Sequence, residues 1–261
     1  MTTQMMTGSE ALAHGALVSG VQLVTSYPGS PTTATVQALL KLAGEKIRIE
    51  WSINEKSAFD TAFGASLAGA RSMVCLKSVG LNVALDSLMV SNLAPGDGGF
   101  VILVGDDPGS WGSQNEEDSR LLVSAAEIPL LEPTSVAESL TAMAGAFDLS
   151  ERFRLPVAIR ITRALSLDQN QVSGEPGPAL DPRPAQFERQ GDRFNVLPIH
   201  VVGMHQALQA SMDRVQEAFE DSPLNGEKGT GKQGIVAAGY AASKLARVLA
   251  ASNDPPLRTL R

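Results

Sequence analysis

Residues 99–107, GFVILVGDD, make an unbroken apolar run of strand length that ends in two aspartates. A strand apolar on both of its alternating faces needs cover above and below, the condition of a parallel sheet with helices on each side. The rest of the first 165 residues alternates to match. TGSEALAHGALVSG opens with a capping box, Thr7 with Glu10 three positions on, and closes at Gly20, so it predicts a helix. QLVTSYP predicts a strand, and Pro31 then starts the helix PTTATVQALLKLAG, where a missing N–H costs nothing in the first turn. RIEWS, SMVCLKSV, PLLEP and LPVAIRIT predict further strands. NEKSAFDTAFGASLAGA, LNVALDSLMVSNLA, EEDSRLLVSAAE and SVAESLTAMAGAFDLSERF predict the helices between them, the last with a second capping box at Ser135 and Glu138. The expected fold class is α/β, a doubly wound parallel sheet over residues 1–165.

Residues 166–194 are rich in Pro, Gly and polar side chains without a period, which predicts a linker. Beyond it, HQALQASMDRVQEAFEDS predicts an amphipathic helix, and QGIVAAGYAASKLARVLAAS the first strand, glycine turn and helix of another α/β unit. Residues 195–261 are too few to finish that unit. One strand and one helix cannot bury both faces, so the expectation is a partial second α/β unit that is either the front part of a longer design or completed by a partner. The net charge of −7 argues against a nucleic-acid or anionic-membrane surface. No apolar run approaches membrane-spanning length, and MTTQMMTGSE lacks the basic start of a signal peptide, so a cytoplasmic setting is expected. The single cysteine, Cys75, excludes a disulfide framework and any cysteine-ligated iron–sulfur or zinc site built by this chain alone.

GEKGTGKQ at residues 226–233 matches a phosphate loop in its glycines and lysine, but Gln233 stands where Ser or Thr would hold magnesium, and a helix precedes it. The three histidines, His14, His200 and His205, are scattered without spaced partners, so no metal site is expected. Open α/β sheets place ligands at the carboxyl ends of their strands. SYPGSPTT, NEK, KSVGLN and GDDPGSWGSQNEEDSR follow successive predicted strands and are candidates for one rim. Within them, Gly80 permits close backbone approach, Asn82 offers an orienting amide, and the longest loop carries Trp111, Gln114 and Asn115 before Arg120. Polar residues also cap helices and fill surface loops, which is the plainer account of each. Glu55 is the acidic side chain that opens an otherwise small and apolar helix. It has two readings: a favourable charge in the first turn, worth about 0.3–1 kcal/mol against the helix dipole, or a group placed for chemistry. Ala58, Ala62, Ala65 and Gly69 follow a helical row that suits close contact with another backbone, within the chain or across subunits.

GSEALAHGAL, YPGSP, NEKSAFDTAFGASLAGARS, KSVGLNVALDSLM, GDDPGSWGSQNEEDSR and IPLLEPTS, in that order, resemble the pyrimidine-binding domain of 2-oxoacid:ferredoxin oxidoreductases. The resemblance is nearest to the large subunit of the indolepyruvate type and its aryl-glyoxylate relatives. It covers residues 7–165 well, and RFNVLPIH and SPLN…GIVAAGYA extend it more weakly. It implies a thiamine-diphosphate pyrimidine-binding fold, with magnesium and diphosphate held by another domain or chain. The tripeptide GDG at residues 96–98 is similar to the magnesium–diphosphate signature of thiamine enzymes. It lies in a tight helix-to-strand connection with no suitably spaced asparagine behind it, and reads as a turn.

By this resemblance Glu55 occupies the place of the family's cofactor glutamate, with Pro28, Gly80 and Asn82 as neighbouring cofactor contacts. A carboxyl hydrogen-bonded to the pyrimidine N1′ favours the imino tautomer whose 4′ nitrogen can take the thiazolium C2 proton. A small, water-poor setting would raise the carboxyl's pKa and make that sharing feasible. The implied reaction is oxidative decarboxylation of a 2-oxo acid to an acyl-CoA. Electrons would pass to ferredoxin or NAD through iron–sulfur clusters on partner subunits, and coenzyme A would also bind elsewhere on the complex, this chain being inactive alone. Ser30 matches the hydroxyl of the substrate-facing YP-x-[ST]-P turn. Gln114, Asn115 and Arg120 are further substrate or interface candidates, Arg120 because a guanidinium pairs bidentately with a carboxylate. One departure stands out: Ser78 replaces the histidine of the usual KHVGLN, which puts an aryl-pyruvate substrate in question. The same pyrimidine clasp would also serve a non-oxidative two-subunit 2-oxoacid decarboxylase, and the fold alone would serve a non-catalytic docking subunit.

Overall fold

The computed structural model describes residues 3–173, 180–182, 184–251 and 258–260. The chain opens with strand β1 (Thr3–Thr7) and helix α1 (Gly8–Val18), then β2 (Leu23–Ser26), α2 (Thr32–Ala43), β3 (Arg48–Trp51) and α3 (Glu55–Leu67). It continues with β4 (Ser72–Lys77), α4 (Ser78–Val83), α5 (Leu85–Ser91), β5 (Phe100–Asp106), α6 (Ser119–Ala125), β6 (Leu130–Leu131), α7 (Val136–Phe153) and β7 (Val157–Thr162). After these come α8 (Arg163–Leu167), β8 (Gln169–Ser173), α9 (Gly191–Phe194), α10 (Pro198–Glu220), β9 (Glu227–Lys228), β10 (Gly234–Val236), α11 (Tyr240–Ala251) and β11 (Arg258–Leu260).

Six strands form a parallel sheet in the order β3-β2-β4-β5-β7-β6. Alternation along each central strand sends neighbours to opposite cores. Met73, Cys75, Val101, Leu103, Val157 and Ile159 join α1, α2 and α7 on one face. Val74, Leu76, Ile102, Val104 and Ala158 join α3, α4, α5 and α6 on the other. This is the doubly wound arrangement that the apolar run demands. The capping box of α1 forms as expected, Thr7 accepting from the Glu10 N–H and Glu10 accepting from Thr7.

Several local readings change. The predicted strand SMVCLKSV stops at Lys77, and Ser78 already begins a helix that breaks at Ala84 and resumes as α5. The expected linker begins with ordered structure, since α8 ends inside it, β8 lies within its first part, and β8 pairs antiparallel with β1 in the register Thr3↔Ser173. Alternation too short and polar to bury a face hid both strands. Residues 174–179 of that stretch lie outside the described residues. In the small-residue helix α3, Ala58 and Ala62 are fully buried against this chain's own sheet together with Phe59 and Ser66. The contact proposed for that row across subunits is therefore made within the chain for those two residues.

GDG lies at the amino end of β5, at the edge of the sheet opposite the ligand rim. Asp97 there accepts two hydrogen bonds from Arg193, which hold its carboxyl below the usual range. GEKGTGKQ spans β9 and the connection to β10, and no helix starts on its lysine, so the phosphate-loop geometry is absent from it. The carboxyl-terminal segment forms a three-stranded sheet in the order β10-β11-β9, with α11 joining β10 to β11 in the chain. Val236 remains 78% exposed, so one face of that small sheet stays open. No helix among the described residues is long and apolar enough to cross a membrane.

Candidate functional site at the switch point of the sheet

In chain order β2 is followed by β3 on one side and then by β4 on the other, so the direction of winding reverses between β2 and β4. The helix connections diverge there and leave a crevice at the carboxyl ends of the strands, where ligands bind in folds of this class. The loops that border the crevice are 27–31 after β2, 52–54 after β3 and 77–80 at the end of β4. They touch closely: a side chain at Gly29 would meet Lys77 Cβ at 2.9 Å.

Glu55 is the first residue of α3. Asn54 caps that helix, its side-chain oxygen accepting from the Ser57 N–H at 2.8 Å. Buried hydroxyl-to-carbonyl bonds tie α3 to the sheet: Thr25 Oγ1 donates to Ala58 O at 2.6 Å, Ser72 Oγ to Ala62 O at 2.7 Å, and Ser66 Oγ to Gly98 O at 2.6 Å. Phe59 packs edge-on against Phe100, ring centroids 5.2 Å apart. The helix start is thus rigidly placed, and the Glu55 side chain is half-buried against Gly80 of α4. An added Cβ at Gly80 would stand 2.7 Å from Glu55 Cγ and 2.8 Å from its Oε1. Among the described residues the Glu55 carboxylate has neither a hydrogen-bond partner nor an ion pair. An acceptor fixed at a crevice with nothing of its own chain to accept from is suited to a donor on a bound group. A pyrimidine N–H fits that requirement.

Of the other expected residues, Pro28 and Ser30 are exposed in the turn after β2, whose Gly29 carbonyl accepts from the Thr32 and Thr33 hydroxyls at 3.0 and 3.1 Å. Asn82 is exposed and donates to both carboxylate oxygens of Glu117 at 3.0 Å, while Asn115 donates to the same Glu117 at 2.7 Å. Gln114 is exposed on that loop. Arg120 is not brought to Glu55. Its guanidinium forms a fork with Asp118, at 2.8 and 2.7 Å, over the β6 side of the sheet. That fork and the nearby Arg160 hold the Asp118 carboxyl at about 2 against a burial cost that opposes them. Behind it the fully buried Asp106 accepts from Arg160 at 2.6 Å, and Arg160 also pairs with Glu132. Asp118 stands two residues before Arg120 in the predicted helix, but Asp106 and Glu132 come from separate segments of which the pattern around Arg120 gives no hint. Ser78 is 2% exposed, so the position at which the usual histidine is replaced lies under the rim.

Sequence reasoning passed over Lys77, Asp107 and Arg163. Lys77 closes β4 and donates to Gly112 O at 2.8 Å. Asp107 ends the apolar run and is 3% exposed; its Oδ2 accepts from Gly112 N at 2.7 Å and Ser113 Oγ at 2.9 Å. Burial alone would raise its pKa, but these donors and the positive charges of Arg163 and Lys77 bring it below the usual range. Arg163 begins α8 and lies over the Trp111 ring, 5.8 Å from its centroid. The available signal was positional, since each residue is the first or last of a strand-to-helix junction on the ligand side.

The family described as pyruvate flavodoxin/ferredoxin oxidoreductase, thiamine diphosphate-binding, matches residues 14–173. Indolepyruvate oxidoreductase subunit IorA of Pyrococcus abyssi is 36% identical over 255 residues, 94% of this chain and 39% of that protein. The protein of the same name from Archaeoglobus fulgidus is 37% identical over 245 residues, 91% of this chain and 39% of its own length. The chain therefore spans about 39% of the length of these curated relatives. Among solved structures, a 2-oxoglutarate:ferredoxin oxidoreductase from Magnetococcus marinus superposes with a TM-score of 0.77. It is 16% identical and covers 99% of this chain and 53% of that one, a likeness of fold.

Proposed function

This chain belongs to the pyruvate flavodoxin/ferredoxin oxidoreductase family, and from that premise we propose that it holds the aminopyrimidine of thiamine diphosphate within a 2-oxoacid oxidoreductase of several subunits. The observation that carries the reading is the Glu55 carboxylate, set at the switch-point crevice against Gly80 without a hydrogen-bond or ion-pair partner among the described residues. Glu55 accepts the proton-bearing N1′ side of the pyrimidine, and its proton sharing sets the tautomer of the ring. The bound cofactor supplies a carbon nucleophile for the 2-oxo group and an electron sink for decarboxylation. Gly80 leaves the carboxylate room, and the Asn54 cap with the hydroxyl bonds to α3 keeps it in register with the ring. Pro28 shapes the turn after β2, from which the exposed Ser30 hydroxyl donates to the substrate. Asn82 meets the loop that carries Gln114 and Asn115 through Glu117, which positions that loop over the reacting centre. Arg120, engaged by Asp118, acts in holding α6 rather than as the substrate's anchor.

The magnesium–diphosphate half, the iron–sulfur clusters, the coenzyme A site and the electron acceptor, ferredoxin or NAD, belong to other domains or subunits. Ile53, 86% exposed beside Glu55, and Val236, 78% exposed on β10, are apolar side chains suited to their contact. The indolepyruvate-type relatives support an aryl 2-oxo acid as substrate, with Ser78 the departure that a substrate panel must address. In the purified complex, Glu55→Gln is expected to weaken thiamine-diphosphate affinity by roughly tenfold or more, the loss of one charge-assisted hydrogen bond, and to abolish oxidation of the 2-oxo acid. Unchanged affinity and turnover in that variant would overturn the reading. Cofactor binding is measured by calorimetry, independently of turnover.

A further inference from the structure

Most cations near the ligand rim are engaged by carboxylates. Lys56 bonds Asp86 at 2.8 Å, Arg120 bonds Asp118, and Arg160 bonds Asp106 and Glu132. Lys77 and Arg163 differ. Lys77 uses one of its three donors, on a neutral carbonyl. Arg163 has no hydrogen bond or ion pair among the described residues and rests half-buried on Trp111. Between them lies Asp107, buried, with Oδ2 satisfied and Oδ1 without a partner.

The sheet explains how these residues come together. Lys77 is in register with Gly105 on β5, and Asp106 with Thr162 on β7, so Lys77 ends β4 while Asp107 and Arg163 are the residues that directly follow β5 and β7, three adjacent strands. Two strand spacings across and two residues along set the cations roughly 12 Å apart at the backbone, and both charges act on Asp107 between them. One buried carboxylate between two cations leaves a net positive charge at the mouth of the crevice. A planar fork held on an indole ring, with its N–H groups unspent, suits bidentate recognition of a carboxylate. The Lys77 stem also lies against the 27–31 turn that carries Ser30.

We propose that Lys77 and Arg163 form the carboxylate-recognition pair for the 2-oxo acid, held apart and oriented by Asp107, Gly112 and Trp111. The proposal rests on the reading of a thiamine-dependent 2-oxoacid site and adds to it the residues that select for an acid. A 2-oxo acid seated here presents its carboxylate to β4 and β7 and its keto carbon toward the crevice beside β2.

Two measurements test this in the complex. Steady-state kinetics of Lys77→Met and Arg163→Gln with phenylpyruvate, 2-oxoisovalerate and 2-oxoglutarate should show KM raised roughly 10- to 100-fold, the loss of a charge-assisted bond. The fall in kcat should be smaller, and Arg163→Lys should recover part of the affinity. The second needs no turnover. Taken as the difference between the parent cofactor-free complex and one carrying Trp111→Phe, the Trp111 emission should change saturably with phenylpyruvate but not with its methyl ester, an effect lost in Arg163→Gln. Equal response to the ester, equal competition by sulfate, or an unaltered KM in a double variant that combines Lys77→Met with Arg163→Gln would overturn the proposal. If thiamine-diphosphate affinity falls in Glu55→Gln while the double variant keeps its KM, this inference alone fails. If Glu55→Gln leaves cofactor affinity intact, the underlying reading fails first.

Discussion

Glu55 and Gly80 work as one unit although 25 positions separate them in the chain. The glycine has no positive φ to accommodate and sits in helical backbone, where alanine is ordinarily the better residue by roughly 0.5–1 kcal/mol. Its reason is the carboxylate against it. Gly80→Ala is therefore expected to leave unfolding stability unchanged or slightly raised, because the Glu55 side chain can swing aside, while thiamine-diphosphate affinity in the complex falls roughly tenfold or more with the displaced acceptor. Denaturant unfolding and calorimetry read the two quantities separately. A stability loss with cofactor affinity retained would contradict this account. The sequence singled out both residues, one as an acid in a small-residue helix and one as a glycine at a turn. Their contact was not legible, because it depends on β3 and β4 lying on either side of β2.

Helix α3 shows what an element contributes beyond its residues. Small side chains at Ala58, Ala62 and Ser66 let the helix approach the sheet closely enough for hydroxyls on β2 and β4 to reach its carbonyls. The Asn54 cap then fixes its first turn. Asn54→Ala should cost about 0.5–2 kcal/mol of unfolding free energy, the usual penalty for losing such a cap, and an equilibrium urea titration checks it. Asn54→Ser should restore most of that loss. The periodic helices were legible because each buries a continuous stripe. The break at Ala84 and the pairing of β1 with β8 were not, since neither segment has an apolar period long enough to register.

Across the molecule, charge is distributed unevenly along the rim. The β6 and β7 side is occupied by an internal network of Asp106, Asp118, Glu132, Arg120 and Arg160, whereas Glu55, Lys77 and Arg163 face the crevice without carboxylate or guanidinium partners in contact among the described residues. The network gives the fold an acid-sensitive seam. Asp118 has its carboxyl depressed from 3.8 to about 2, chiefly by its bond to Arg120. A depressed carboxylate stabilises the folded state above its unfolded pKa, and that contribution is lost as pH falls through the folded value. The gap in urea midpoint between the parent and Asp118→Asn should be full at pH 5, shrink below about 4, and close near pH 2. A gap independent of pH would show that Asp118 acts only as a helix cap. By itself the sequence determined the doubly wound class and the strand ends that carry the site, because apolar periodicity, capping residues and proline act over a few neighbouring positions. Only the tertiary structure decided which charges are spent on each other and which are left for a ligand. That depends on strand order, which brings side chains from distant segments within a few ångströms, and no local pattern encodes it.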